Sequence, residues 1–239
     1  MIYREYLVMR KAVAWFAAIV LTMMLIVPAA RDGVAVSFNN AIGFADITNG
    51  AAWLAAIFAS IFGVALGNGS REAARVLWVL PTARWQLALQ VIAVDLAGAT
   101  VAFACVFAFF PAVAWLRLGE SLHGTLHATD VAMALVMVYA TYGWSALVGM
   151  LGRRMAYGGI IALPLLMIWM IFALSQIPVA TILRPLTIAN PFAVYNAGLH
   201  AMSSLQWLGT AWTTPVLVTI AVVTCGLAVA LWQRAQVIH

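Results

Sequence analysis

Gly50–Gly67, GAAWLAAIFASIFGVALG, runs for 18 residues without a formal charge. A helix rises about 1.5 Å per residue, so the run covers about 27 Å, close to the roughly 30 Å of a bilayer's hydrocarbon core. Working outward, comparable apolar runs fill Ala12–Ala30, Gln86–Trp115, Val131–Leu151, Ala156–Ile177 and Pro215–Trp232. The first and last of these are also uncharged. In hydrocarbon every backbone N–H and C=O must be paired within the segment, which makes each run a helix. The expected fold class is an all-α integral membrane protein with six transmembrane helices.

Composition agrees. Hydrophobic residues make up 66% of the chain and charged residues 8%, against about 25% charged in a soluble domain. The net charge of +5 therefore marks a membrane face, where basic residues and anionic lipid meet, and not a nucleic-acid partner. No polar block leaves room for a separate soluble domain, so residues 1–239 are expected to form one membrane domain.

Lys and Arg favour cytoplasmic loops. With the N-terminus inside, nine of them fall on the cytoplasmic side: Arg4, Arg10, Lys11, Arg71, Arg75, Arg84, Arg153, Arg154 and Arg234. Three fall outside: Arg31, Arg117 and Arg184. This asymmetry places both termini in the cytoplasm and the chain in the cytoplasmic (inner) membrane as a multi-pass protein. Trp15, Trp53, Trp85, Trp115 and Trp232 stand near span ends, as an interfacial belt would. The first span has signal-like flanks, but its 19 apolar residues exceed the 7–15 of a signal peptide, and it is expected to be retained.

Some spans are patterned for close packing. Ala55, Ala59, Gly63 and Gly67 recur every four residues, with Ala52, Ala56 and Ser60 beside them, and Ser145 and Gly149 repeat the spacing in the fourth span. Small faces let membrane helices approach closely; the pattern leaves open whether the contact is within one subunit or between two. Cys105 and Cys225 lie inside spans and form no metal or disulfide framework.

Three segments outside the spans carry functional expectations. Ile2, Tyr3, Tyr6 and Leu7 share one face of an N-terminal helix with the charges elsewhere, the pattern of an interfacial helix lying on the inner surface; the alternative is a frayed extension of the first span. In the cytoplasmic loop 68–84, Gly69 is expected to break the second span, Ser70 to cap a short helix with Glu72 in its first turn, and Pro81 to end it after Leu80. The alternative there is a plain charged connector. On the outer side, Pro178–Thr214 is too apolar for a free loop, and Asn190-Pro191 marks a turn with a short helix expected on each side of it, or else a capping loop.

Six spans, an amphipathic N-terminal helix, Glu72, and Leu80-Pro81-Thr82-Ala83-Arg84 leading into Trp85-Gln86-Leu87 together resemble the type 2 ABC exporter permeases. Ala73-Ala74-Arg75-Val76 stands where that family usually has Gly-Thr-Leu-Glu, and a Lys common early in its third span is absent. The resemblance implies that Ser70, Arg71, Glu72, Arg75, Leu80, Pro81 and Arg84 form a cytoplasmic coupling helix docking on an ABC ATPase subunit. It also implies two such ATPases, a second permease subunit, identical or related, beside membrane lipid, and short re-entrant helices at the outer gate. ATP and Mg would then bind the partner ATPase, with no cofactor held by this chain.

Asp95 stands 11 residues past Arg84, roughly 16 Å along a helix, deep enough to be costly against lipid. It reads equally as a residue of a substrate path and as a buried hydrogen-bond acceptor. His123 and His127 are four apart, but two ligands make a poor metal site, and none is expected. Lys11 is the only lysine and follows no glycine-rich loop, which excludes a P-loop. No catalytic constellation is recognisable, so the chain is not expected to be an enzyme. The leading expectation is the permease subunit of an ATP-driven exporter of amphipathic or hydrophobic cargo. The alternatives are a non-transporting assembly or sensing partner of an ATPase complex, and an intramembrane enzyme using Asp95 or the outer histidines.

Overall fold

Apolar sequence this dense leaves the backbone no solvent to bond with, and the chain answers with helices. The computed structural model describes residues 2–29, 44–77, 84–118, 125–150, 188–199 and 209–234. These form α1 (Ile2–Ala29), α2 (Phe44–Leu77), α3 (Arg84–Leu118), α4 (Ala128–Met150), α5 (Pro191–Gly198) and α6 (Gly209–Arg234). Five of them, all but α5, are long and apolar enough to cross a membrane. The expected fifth span, 156–177, lies outside the described residues.

Hydroxyls within the spans are satisfied locally. Ser60 Oγ donates to the Ala56 carbonyl at 2.8 Å, Thr141 Oγ1 to Met137 at 2.9 Å, Ser145 Oγ to Thr141 at 2.9 Å and Thr224 Oγ1 to Ile220 at 2.7 Å. Such i−4 bonds let a polar side chain sit in an apolar wall without an unpaired donor.

The centre of the bundle is α4, which packs most extensively on α2 and then on α6. The small-residue face of α2 makes this possible: Ala52, Ala55, Ala56, Ala59 and Ser60 are almost wholly buried. A Cβ at Gly63 would stand 2.5 Å from the Tyr142 carbonyl oxygen and 3.0 Å from Ala146 N, so the two backbones nearly touch. The close contact predicted from the four-residue spacing is thus within one chain, between α2 and α4. On another face of α4, Gly143 accommodates Thr224 and Cys225 of α6. The outlying helices are α1 and α6, where 11% and 17% of the apolar window is buried, against 56% in α2 and α4.

Cross-helix pairs fix the directions. Asp95 meets Tyr142 while Thr100 meets Tyr139, so α3 runs opposite to α4. Thr213 meets Met133, and Thr224 lies at Gly143, so α6 runs in the same direction as α4. The chain therefore leaves α4 at one end of the bundle and enters α6 at the other.

Two expectations about helix breaks are corrected. First, α1 is one unbroken helix from Ile2 to Ala29, not an interfacial helix followed by a separate span. No glycine or proline falls between Ile2 and Val27, so nothing local stops the helix where the charges end. Tyr6 and Val8 are exposed while Met9 is buried against Gly98 of α3. Second, α2 continues through Gly69 and Ser70 to Leu77. A single glycine costs about 1 kcal/mol in a helix, too little to break one that is continuous from Phe44 and packed on α4. Ser70 is therefore an interior residue and not an N-cap.

Candidate functional site

The buried polar centre lies between α3 and α4. Tyr142 Oη donates to Asp95 Oδ2 at 2.7 Å, with Asp95 5% and Tyr142 0% exposed. One turn along, Tyr139 Oη and Thr100 Oγ1 lie 2.6 Å apart. Thr100 gives its single proton to the Leu96 carbonyl at 2.8 Å, so Tyr139 is the donor of this second rung. Positions 139 and 142 share a face of α4 because residues three apart stack on a helix. The two rings span a gap: α3 and α4 make far less direct contact than α2 and α4 do. An interhelical hydrogen bond in a membrane contributes about 0.6–2 kcal/mol, and here two act on one seam.

Sequence reasoning found Asp95 from its depth but missed Tyr142, Tyr139 and Thr100. The signal was present: a carboxylate deep in a span requires a donor, and Tyr139 and Tyr142 are the two phenols of the neighbouring fourth run.

A second element enters from the far end of the bundle. Asn190 has extended dihedrals and its Oδ1 accepts from Phe192 N at 3.0 Å, an N-cap with Pro191 in the first turn of α5. Asn190-Pro191 thus opens a helix, where a turn between two helices was expected; residues 178–187, on its other side, lie outside the described residues. Ala189 accepts from Trp144 Nε1 at 2.8 Å, and Gly198 packs on Met133 and Thr213. Met133 stands 11 residues before Trp144, roughly 16 Å along α4, so the segment climbs from inside the bundle toward its end. Seven of its eight residues are buried, and the Phe192 ring lies 4.6 Å from that of Trp53. One short, buried helix entering the bundle is therefore present. Among the described residues, the Tyr195 hydroxyl on it is buried with no hydrogen-bond partner.

The third element is the end at which α2 and α3 are joined. Ser70, Arg71, Glu72 and Arg75 occupy the last turns of α2, and Arg84 is the first residue of α3. Leu80 and Pro81 lie outside the described residues. The apolar window of α2 ends at Leu66, and the helix continues for 11 more residues, roughly 16 Å. Arg71 is eight residues beyond Gly63, as Met150 is eight beyond Tyr142, so the charged end of α2 begins level with the end of α4.

Elsewhere, Trp232 is buried against Leu87 and Ala88 and not presented as a belt residue. His127 is exposed, with Nε2 3.0 Å from Thr125 Oγ1; His123 lies outside the described residues. Cys105 and Cys225 are both unpaired and half-buried. No protein-family model, curated protein or solved structure matches this chain.

Proposed function

We propose that this chain is the membrane-spanning permease subunit of an ATP-driven exporter, working with a separate cytoplasmic ATPase and a second permease subunit. The observation that carries this is the charged end of α2. A helix packed along its length on the bundle centre continues past its apolar window with Arg71, Glu72 and Arg75, then returns within six residues to Arg84 at the start of α3. A force applied at that end is transmitted by a rigid helix to α4. The coupling element would then be the end of α2 with its link, in place of a free-standing short helix.

The sequence supports the same division of labour. With one lysine and no glycine-rich phosphate loop, ATP chemistry falls to another polypeptide. Sparse charge in the spans, with Asp95 the one buried carboxylate among the described residues, suits amphipathic or hydrophobic cargo better than small ions. The buried α5, entering from the opposite end, fits a gate on the release side.

The test is charge reversal at the coupling end. The tagged protein is purified from its native membrane, and co-purifying ATPase activity is measured for wild type and for Arg71→Glu/Glu72→Arg. The proposal expects an ATPase in the wild-type complex that is lost or uncoupled in the variant. A wild-type preparation without ATPase, under conditions that keep other membrane complexes whole, would overturn it.

A further inference from the structure

Two faces of α1 have opposite characters. Met9, Val13, Phe16 and Val20, spaced by four, three and four residues, form the face that packs on the bundle. Met9 fills the notch at Gly98 of α3, and the Phe16 ring lies 4.8 Å from that of Phe58 on α2. Lys11, Trp15, Ala18 and Thr22 repeat this spacing two residues on, about 200° round the helix, and all four are exposed. Trp15, Ala18 and Thr22, with Ile19 and Met23, line an open groove of about 330 Å³. Thr22 gives its one hydroxyl proton to the Ala18 carbonyl at 2.7 Å, which leaves the groove floor without a free donor.

Lys11 stands at one end of this groove and the exposed Arg10 flanks it, about 100° round the helix. Met9 sets their depth. Gly98, which Met9 meets, is 14 residues into α3 from Arg84, roughly 21 Å along that helix. The apolar window of α3 begins at Trp85. Two cations therefore sit level with an apolar stretch, turned away from the bundle, where a bare charge is costly. Among the described residues neither has an ion-pair partner. The groups gathered here are donors: the Lys11 ammonium, the Arg10 guanidinium and, one turn on, the indole N–H of the exposed Trp15. Such a set is complementary to phosphate, which only accepts. Side chains on a helix lean toward its N-terminus, so the Lys11 head reaches away from the groove and toward the charged end of α1. Head and tail of an anionic lipid require that order.

We infer that the exposed face of α1 binds one anionic phospholipid, its phosphate held by Lys11 and Arg10 with the Trp15 N–H, and one acyl chain lying in the groove over Ala18, Ile19, Thr22 and Met23. Charge selects this occupant. A zwitterionic lipid brings a positive group against the two cations. A second copy of the chain, related by a two-fold axis along the membrane normal, brings its own Lys11 against this one. The lipid covers the spanning helix least held by the bundle, since 11% of the apolar window of α1 is buried. The site needs neither an ATPase nor a cargo.

The test uses the full chain, purified in detergent, stripped of lipid and weighed by native mass spectrometry after addition of dioleoyl phosphatidylglycerol or dioleoyl phosphatidylcholine. The two lipids share their acyl chains and differ in head charge. Wild type should hold one phosphatidylglycerol about tenfold more tightly than phosphatidylcholine, the order set by two basic side chains on one anionic head. Arg10→Gln/Lys11→Gln should erase that preference. The charge-keeping Arg10→Lys/Lys11→Arg should retain it, which separates loss of charge from loss of fold. Ala18→Trp, which fills the groove from an exposed position, should lower retention of phosphatidylglycerol. Equal retention of the two lipids by wild type, or a preference that survives Arg10→Gln/Lys11→Gln, would overturn the site. Unchanged retention in Ala18→Trp would overturn it as well, and so would a lipid-free dimer that Ala18→Trp breaks, because the face would then belong to a second copy.

Discussion

Gly63→Leu is the sharpest test of the α2–α4 contact on which the bundle is centred. A Cβ at this position would lie 2.5 Å from the Tyr142 carbonyl oxygen, 2.9 Å from Ser145 Cβ and 3.0 Å from Ala146 N. Ordinary van der Waals contact begins near 3.4 Å, so the first overlap is about 0.9 Å. Two of the three atoms are backbone and cannot rotate away. Even alanine forces α2 back from α4, and overpacking of this kind costs about 1–3 kcal/mol. The gain in helix propensity on replacing glycine, about 1 kcal/mol in water, offsets part of it for Gly63→Ala. Leucine adds three more carbons with nowhere to go, and should lose at least 3 kcal/mol on the same scale. The control is Gly226→Leu on α6, where none of the described residues lies within 4 Å of the built Cβ. Thermal unfolding in one detergent, followed by tryptophan emission, compares them. Gly63→Leu should fall well below wild type while Gly226→Leu stays close to it. Equal midpoints for the two variants would refute the contact and the helix register derived from it.

Four further outcomes follow from the same geometry. In a double-mutant cycle, Tyr142→Phe and Asp95→Asn should couple by about 0.6–2 kcal/mol in unfolding free energy; additive losses would mean the 2.7 Å bond contributes nothing measurable. Tyr195→Phe should hold or raise the unfolding midpoint, because it removes a buried hydroxyl that has no partner among the described residues, whose burial costs about 1–3 kcal/mol; a clear loss would show that the hydroxyl is bonded. Asn190→Ala removes the cap of α5 and should cost about 0.5–2 kcal/mol, with faster proteolysis or hydrogen exchange over residues 191–198 as the local readout. Gly143→Val drives a side chain into Thr224 and should destabilise like Gly63→Leu, whereas Thr224→Ala in the same chain should restore part of the loss.

The helices were legible in the sequence because lipid imposes one rule on every span: apolar, long, internally bonded. The five described spanning helices fall where hydropathy placed them, and the small face at residues 52–63 announced a close contact. The identity of that contact was not legible, since a four-residue spacing does not name its partner. Gly69 misled for a related reason. Its local cost is about 1 kcal/mol, and tertiary packing along α2 outweighs it. Charges misled at the other end of the chain, where Arg4 through Lys11 suggested a boundary that the backbone of α1 does not make. At the polar seam, depth alone singled out Asp95. Its donor Tyr142, 47 residues away, required knowledge of which span lies beside the third. Asn190 was legible as a punctuation mark, but its role as a helix cap depended on the apolar residues after it being buried and not exposed.

The intact mass of the gently purified complex tests the central claim most directly. The account predicts a mass equal to two permease subunits, one of them this 25.7 kDa chain, plus two ATPase subunits. Recovery of this chain alone, or only with partners that bind no ATP, from membranes whose other complexes survive the same treatment would contradict it.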